Sequence, residues 1–83
     1  MKFEVGMNVT WISSNTRKRG VITDVIPAGR TPREIGKPKA GGGGMYRDHE
    51  TYVVRGRKLT SRGEEYGPKA DYWSLVSLLE TIG

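Results

Sequence analysis

One short segment limits the fold more than any other part of the chain: residues 19–27, Arg-Gly-Val-Ile-Thr-Asp-Val-Ile-Pro. Its β-branched residues, with a glycine near the start and a proline at the end, predict a β-strand. Side chains alternate between the two faces of a strand, which places Val21 and Val25 on one face and Ile22 and Ile26 on the other. Both faces are therefore apolar. We expect a central strand that curls or bulges, so that each face meets core, as in a small closed barrel.

The length and composition restrict what such a strand can belong to. The chain has 83 residues, so we predict a single domain over residues 1–83 that buries about 60% of its unfolded surface or slightly more. It has no cysteine for a disulfide, and no apolar run near the roughly 20 residues of a membrane span. The first residues, Met-Lys-Phe-Glu-Val-Gly, lack the apolar region of a signal peptide. We expect a cytoplasmic protein without a membrane partner.

Alternation predicts the first half of the fold. Apolar residues at positions 5, 7, 9 and 11 indicate a first strand with Trp11 in the core. The polar segment 13–19 then predicts a hairpin loop that leads into a strand over 20–26. Prolines and glycines are so dense between residues 27 and 45 that we expect neither helix nor strand there, only one long flexible loop.

The second half contains shorter signals. Residues 50–55 predict a strand that Gly56 ends, followed by a polar loop to residue 65 and a turn at 66–68. The last segment, 71–80, predicts a short extended piece, a 3₁₀ turn near residues 74–76 and a closing strand from Ser77. Tyr72 and Trp73 are neighbours on an extended segment, so one of the two is expected on the surface.

These elements predict an all-β fold: a small barrel of about five short strands with one long Gly/Pro-rich loop, since closure removes exposed strand edges. Residues 5–11, Val-Gly-Met-Asn-Val-Thr-Trp, the polar turn and residues 19–25 resemble the opening hairpin of SH3-like barrels of the KOW and Tudor type. Residues 52–55 and 72–79 resemble the remaining strands, and the chain is similar to uncharacterised bacterial and phage proteins of Tudor-like type. The resemblance implies an SH3-like barrel. Domains of this kind bind RNA, DNA or peptide motifs, or assemble with partner proteins.

The charge distribution favours an anionic partner. The net charge is +5, and from Arg17 to Arg47 there are eight basic residues against two acidic ones, Asp24 and Glu34. Clustered cations bind phosphates by releasing counterions, although cations at strand edges also suppress aggregation. The candidate nucleic-acid-binding residues are Arg17, Lys18, Arg19, Arg30, Arg33, Lys37, Lys39, Arg47, Arg57 and Lys58, and Arg55 belongs to the same group of cations. If the barrel brings residues 17–19 and 30–39 together, they form one cationic face. Replacing Glu64 and Glu65 is expected to change binding little.

Aromatic residues are candidates for additional contacts. Tyr46, Tyr72 and Trp73 are candidates for stacking on single-stranded bases if exposed. A groove for a peptide would form if the larger aromatic set clustered outward, namely Trp11, Tyr52, Tyr66, Tyr72 and Trp73. The sequence leaves two partners open: nucleic acid, either DNA or RNA, or a protein partner bound through the long loop or the exposed aromatics.

Catalytic and metal-binding motifs do not assemble. On a strand, Asp48 and Glu50 would face one way and His49 the other, and there is no cysteine to complete a transition-metal site. The run Gly41–Gly44 is not set between a strand and a helix, and no lysine or hydroxyl follows it at the spacing of a phosphate-binding loop. We therefore predict a non-enzymatic binding module with no catalytic residues, no metal and no cofactor.

Overall fold

The computed structural model describes residues 3–36, 47–74 and 76–82. Its strands are β1 (Asn8–Ser13), β2 (Thr16–Ile26), β3 (Thr51–Leu59), β4 (Glu65–Tyr72) and β5 (Glu80–Thr81), and its 3₁₀ helices are Pro32–Ile35 and Val76–Leu78. The described residues contain no α-helix, so the predictions of an all-β fold and of about five strands are confirmed. Nothing helical in this part of the chain has the length and apolar character needed to cross a membrane.

The five strands form one antiparallel sheet in the order β4-β3-β2-β1-β5. The two ends of this order, β4 and β5, do not pair with each other in the described residues. Hydrogen bonding therefore does not close the sheet into a barrel, and the SH3-like architecture stays a prediction.

The first hairpin is tighter than the sequence suggests, and the predicted loop over residues 13–19 is wrong. Ser14 and Asn15 have positive φ angles of 51° and 61°, as in a two-residue turn of type I′, and Ser13 pairs with Thr16. Residues 17–19 consequently lie in β2 rather than in a loop. The first strand also begins later than expected, at Asn8.

A bulge divides β2 into two parts that face opposite ways. The pairing with β3 shifts between Ile22 and Asp24, which leaves Thr23 as the extra residue. Ile22 stands opposite Val54 before the shift, whereas Ile26 stands opposite Thr51 after it. Because neighbouring positions of β3 face opposite ways, Ile22 and Ile26 lie on different faces. The expected bulge is confirmed, and the expectation that these two residues share a face is wrong.

The two faces carry separate cores. The main cluster contains Phe3, Val9, Trp11, Ile22, Tyr52, Val54 and Leu79, and the second contains Ile26, Val53 and Trp73. Trp11 is 1% exposed, which confirms its place in the core. Trp73 is buried and Tyr72 is half-buried, with its ring edge-on against Trp11 at 5.4 Å between centroids, so neither is the surface ring that was expected. The expectation is wrong because both faces carry core, and each of the two rings covers a different cluster.

Gly56 does not end a strand, because it lies opposite Gly20 at a close crossing of β2 and β3. A Cβ on Gly56 would overlap the carbonyl oxygen of Arg19, and one on Gly20 would overlap that of Arg55. The strand therefore continues through Arg57 to Leu59.

The predicted turn at residues 66–68 is also wrong, because these residues lie inside β4 where its pairing with β3 is irregular. Gly67 has a positive φ of 76°, and β4 is an edge strand, which is where a proline such as Pro68 is tolerated.

Two short segments differ from the sequence prediction: one follows β2, and the other lies at the C-terminal end of the sheet. Pro32–Ile35 forms one 3₁₀ turn where no helix was expected, and Pro32 suits its first position because a proline there removes no needed hydrogen bond. The C-terminal 3₁₀ turn is confirmed two residues later than predicted, and the closing strand is only Glu80–Thr81. The predicted loop tip Gly41–Gly44 lies outside the described residues.

Candidate nucleic-acid interface

Four arginines lie on one face of β2 and β3. Arg19 stands directly opposite Arg57, and Arg55 stands opposite Val21. Arg17 precedes Arg19 by two residues on β2, and residues two apart share a face of a strand. We call Arg17, Arg19, Arg55 and Arg57 the arginine face.

Each of these arginines has one or two partners within the protein. Arg19 donates to Glu65 at 2.8 Å, and Arg55 donates to Asp71 at 3.1 Å. Arg57 Nε donates to the carbonyl oxygen of Gly67 at 2.8 Å, while its Nη1 lies 3.9 Å from Glu65. Arg17 donates to the Thr10 hydroxyl at 3.2 Å. Since a guanidinium has five N–H donors, every one of these arginines keeps donors that no group in the described residues uses.

The side chains remain open to solvent despite these partners. Those of Arg19, Arg55 and Arg57 are 41%, 50% and 35% exposed, respectively. Both acidic partners come from β4, so the face combines two cationic strands with an edge strand of mixed charge.

A shallow depression lies within the arginine face. Its volume is about 160 Å³, and the main chain of Gly20 and Gly56 forms part of its lining. Four positive side chains and one negative side chain surround it, namely those of Arg19, Arg55, Arg57, Lys69 and Glu65, together with Asn8 and Val21. We call this depression the glycine pocket.

Among residues 3–36, 47–74 and 76–82, Glu65 is the only acidic residue that lines the glycine pocket. The hydrogen bond from Arg19 lowers the pKa of Glu65, and the charges of Arg57 and Lys69 lower it further. Glu65 is therefore a carboxylate at neutral pH, and it occupies donors that an external anion would use.

Lys18 does not join the arginine face. It alternates with Arg17 and Arg19, so its side chain lies on the opposite face of β2 and is buried. Its ammonium group donates to the carbonyl and hydroxyl oxygens of Ser13 at 2.7 and 2.9 Å and lies 5.9 Å from the centre of the Tyr72 ring. Burial, and then the charge of Lys58, lower the pKa of Lys18. The geometry gives Lys18 a structural role in the hairpin.

Arg47 also has a structural position. Its guanidinium carbon lies 4.0 Å from the centre of the Trp73 ring, and its Nη1 and Nη2 donate to the carbonyl oxygens of Ser74 and Trp73 at 3.1 and 3.3 Å. Burial lowers its pKa. These contacts tie the chain before β3 to the segment after β4.

The remaining predicted cations are dispersed. Arg30 and Arg33 are exposed in the segment that follows β2, and Arg30 pairs with Glu34 at 3.1 Å. This segment and residues 17–19 lie at opposite ends of an 11-residue strand, so the structure does not bring them together. Lys58 is exposed but alternates with Arg57, and Lys37, Lys39 and Tyr46 lie outside the described residues.

One residue at this interface, Lys69, was absent from the predicted set, and it lines the glycine pocket. Tyr66, 43% exposed, is the exposed aromatic residue in the described part of the chain, but it stands opposite Lys58 rather than opposite an arginine of this face. Of the predicted aromatic contacts, Trp73 is buried, and Tyr72 is half-buried against Trp11. No signal in the sequence identified β4 as the strand beside the arginines, because its glycine and proline suggested a turn.

The expectation that Asp48 and His49 point opposite ways is wrong, because both residues precede β3 instead of lying in a strand. His49 Nδ1 lies 3.0 Å from a carboxylate oxygen of Asp48, which is 96% exposed, and Glu50 accepts a hydrogen bond from the Tyr52 hydroxyl at 2.8 Å. Within residues 3–36, 47–74 and 76–82, no three histidine, cysteine or acidic residues are grouped as metal ligands.

No protein-family model, curated protein or solved structure matches this chain. The resemblance to SH3-like barrels of the KOW and Tudor type therefore stays a prediction from the sequence. The case for a function depends on the arginine face and the glycine pocket.

Proposed function

We propose that this protein is a non-enzymatic binding module, related in architecture to SH3-like barrels, that engages nucleic acid through the arginine face. The observation that carries the proposal is the placement of four solvent-accessible arginines, two of them half-buried, at neighbouring positions of two paired strands. Side chains opposite each other on paired strands are about 5 Å apart, and those two residues apart on one strand are about 6.5 Å apart. The guanidinium groups can therefore contact several phosphates of one backbone.

Arginine suits this task for chemical reasons. Its planar guanidinium donates two parallel hydrogen bonds to a phosphate, remains charged at any physiological pH and stacks on bases. Such contacts require no particular base sequence. Binding of this kind is weak, with a Kd on the order of 10⁻⁴–10⁻⁶ M at physiological salt, and weakens steeply as salt rises.

A protein partner is the second candidate, because apolar side chains lie among the arginines. Ile12 stands opposite Arg17, and Val21 stands opposite Arg55; they are 50% and 39% exposed. Arginine mixed with apolar residues is common in protein interfaces. Binding dominated by apolar contacts would depend weakly on salt, which separates the two candidates.

The test is a titration of labelled single-stranded DNA, RNA and duplex DNA at about 50 and 200 mM salt, followed by fluorescence anisotropy. We expect a log–log slope of about −0.9 per duplex phosphate neutralised, or about −0.7 for a single strand. Replacing Arg19 and Arg57 with serine should shallow the slope by up to about two units.

The matched control replaces Arg30 and Arg33 with serine, which removes the same charge from the segment after β2. It should leave the slope nearly unchanged. If nucleic acid does not bind at low salt, or if the two double variants have equal effects, the nucleic-acid proposal is wrong. The protein partner then becomes the leading candidate.

A further inference from the structure

The glycine pocket has the features of a site for a single phosphate. Arginines from both β2 and β3 surround it, with Lys69 from β4 and Asn8 from β1. The close crossing at Gly20 and Gly56 places main chain where side chains would otherwise stand. A volume of about 160 Å³ is far more than the roughly 10–15 Å³ that one water molecule requires on the same measure, so a tetrahedral anion fits.

Glu65 already uses this site as an anion would. Its Oε2 lies 2.8 Å from Arg19 and its Oε1 lies 3.9 Å from Arg57, so one carboxylate bridges arginines of two strands. Carboxylates and phosphates present equivalent acceptor oxygens to guanidinium groups. The carboxylate therefore stands in for the oxygens of a phosphate.

The ion pairs that Glu65 forms with the arginines can be replaced by contacts to an external anion. The Glu65 side chain is 36% exposed at the first position of an edge strand, and exposed ion pairs of this type contribute little. Lys69 lines the same pocket, and its charge acts on Glu65 without forming an ion pair among the described residues, so its ammonium group keeps its donors for an anion.

We propose that the glycine pocket binds one backbone phosphodiester of the nucleic acid, and that Glu65 occupies the phosphate position in the free protein and is displaced when the nucleic acid binds. This inference rests on the proposed function, because it names the phosphate site of the same face. It revises the expectation that Glu65 contributes little. A free phosphate ion presents the same kind of acceptor oxygens as a backbone phosphodiester. The test therefore has one part with nucleic acid and one with inorganic phosphate.

The test compares Glu65→Gln with Glu64→Gln. The two residues are neighbours, both are exposed and both substitutions add one unit of positive charge, but only Glu65 pairs with the arginines. We expect Glu65→Gln to bind a labelled single-stranded 20-mer about fivefold tighter at low salt, and Glu64→Gln less than twofold tighter. The gain from Glu65→Gln should shrink as salt rises.

A second pair of variants tests the glycine pocket while leaving Glu65 unchanged. Lys69→Gln should weaken binding severalfold, whereas Lys58→Gln removes an exposed lysine on the other face of β3 and should weaken it less. In the second arm, inorganic phosphate is titrated while the amide resonances of Gly20 and Gly56 are followed by NMR.

The outcomes distinguish the two proposals. Tighter binding of the 20-mer by Glu65→Gln, with no response to inorganic phosphate, supports a site for the polymer backbone. Shifts at Gly20 and Gly56 with phosphate as well support a site that also accepts the free ion. If the parent protein binds nucleic acid but Glu65→Gln and Glu64→Gln behave alike, the pocket proposal is overturned and the proposed function remains. If nucleic acid does not bind while phosphate shifts the two glycines, the proposed function is overturned and the anion site remains.

Discussion

The arginine face and the region around Trp73 occupy one face of β3, yet they hold their arginines in opposite ways. Arg47 stacks on the Trp73 ring and donates to two main-chain carbonyl groups. Arg19 donates to a side-chain carboxylate and stays 41% exposed. Main-chain carbonyl groups are fixed parts of the fold, whereas a carboxylate can give way to another anion. The partner of an arginine, more than its position in the sequence, decides whether its guanidinium is fixed within the fold or accessible to another anion.

The bulge in β2 marks the boundary between these regions. Before Thr23, the outer face of β2 carries Val21 and Arg19, which remain accessible. After it, Ile26 turns onto this face and packs with Val53 and Trp73. One extra residue therefore changes an open basic surface into a closed apolar one within a single strand.

The largest effect is expected at Trp73. Truncation to alanine removes the indole from the second core cluster and leaves the Thr51 hydroxyl, now 2.7 Å from the indole nitrogen, without its donor. The free energy of unfolding should fall by about 3–5 kcal/mol. Urea denaturation measures it, and Tyr66→Ala, which removes an exposed ring, should stay within about 0.5 kcal/mol. Equal losses would mean that Trp73 is not the centre of a core.

The next effect is expected at the crossing beneath the arginine face. Gly56→Ala introduces a Cβ that overlaps the Arg19 carbonyl oxygen, so the strands must separate. A loss of about 1–3 kcal/mol is expected, the range for added atoms in a packed site. Gly20→Ala meets the Arg55 carbonyl oxygen in the same way and should cost a similar amount. Unchanged thermal stability in both variants would contradict the close crossing.

The same crossing shows what the sequence could and could not predict. Alternation and β-branched residues identified β1, β2 and β3, the bulge, and Trp11 as core. Gly56 was taken as the end of a strand because a glycine weakens a strand by itself. Its actual role depends on Gly20, 36 residues earlier, and pairing over that separation has no local signal.

The candidate site was predicted in part for a related reason. Arg17, Arg19 and Arg57 were selected by charge, but residues 17–19 were read as a loop, in which all three cations would be equally free. Once they lie in a strand, alternation separates Lys18 from its neighbours. Glu65 was missed because its pairing with Arg19 spans 46 residues.

Replacing Arg47 should lower the free energy of unfolding by no more than the glycine variants do, but by more than replacing an exposed arginine. Arg47→Met keeps much of the side-chain volume but removes the cation over Trp73 and two hydrogen bonds to main-chain oxygens. A loss of about 1–3 kcal/mol is expected. Arg33→Met is the matched control, since it removes the same charge from an exposed position and should change stability by less than about 0.5 kcal/mol. Similar losses in the two variants would show that only net charge matters at position 47.

The smallest effect is the pH dependence of the Glu65 pairing. Its pKa lies below its usual value of 4.5, mainly through the hydrogen bond from Arg19. The unfolded chain therefore binds more protons than the folded chain between the two pKa values, so stability rises with pH in that interval. The contribution is fully present above about pH 4.5 and is lost as the pH falls through the lower, folded-state pKa.

Glu65→Gln removes this contribution, and the comparison with the parent protein isolates it. The difference in unfolding free energy between parent and variant should shrink as the pH is lowered from about 7 to about 3, and added salt should reduce it at pH 7. The difference between the parent and Arg47→Met should not follow this course, because Arg47 contacts carbonyl groups and an aromatic ring rather than a carboxylate. Denaturant unfolding across that pH range measures both. A constant difference for Glu65→Gln would show that the carboxylate does not hold Arg19 in solution, and the contrast between the two regions would then reduce to burial alone.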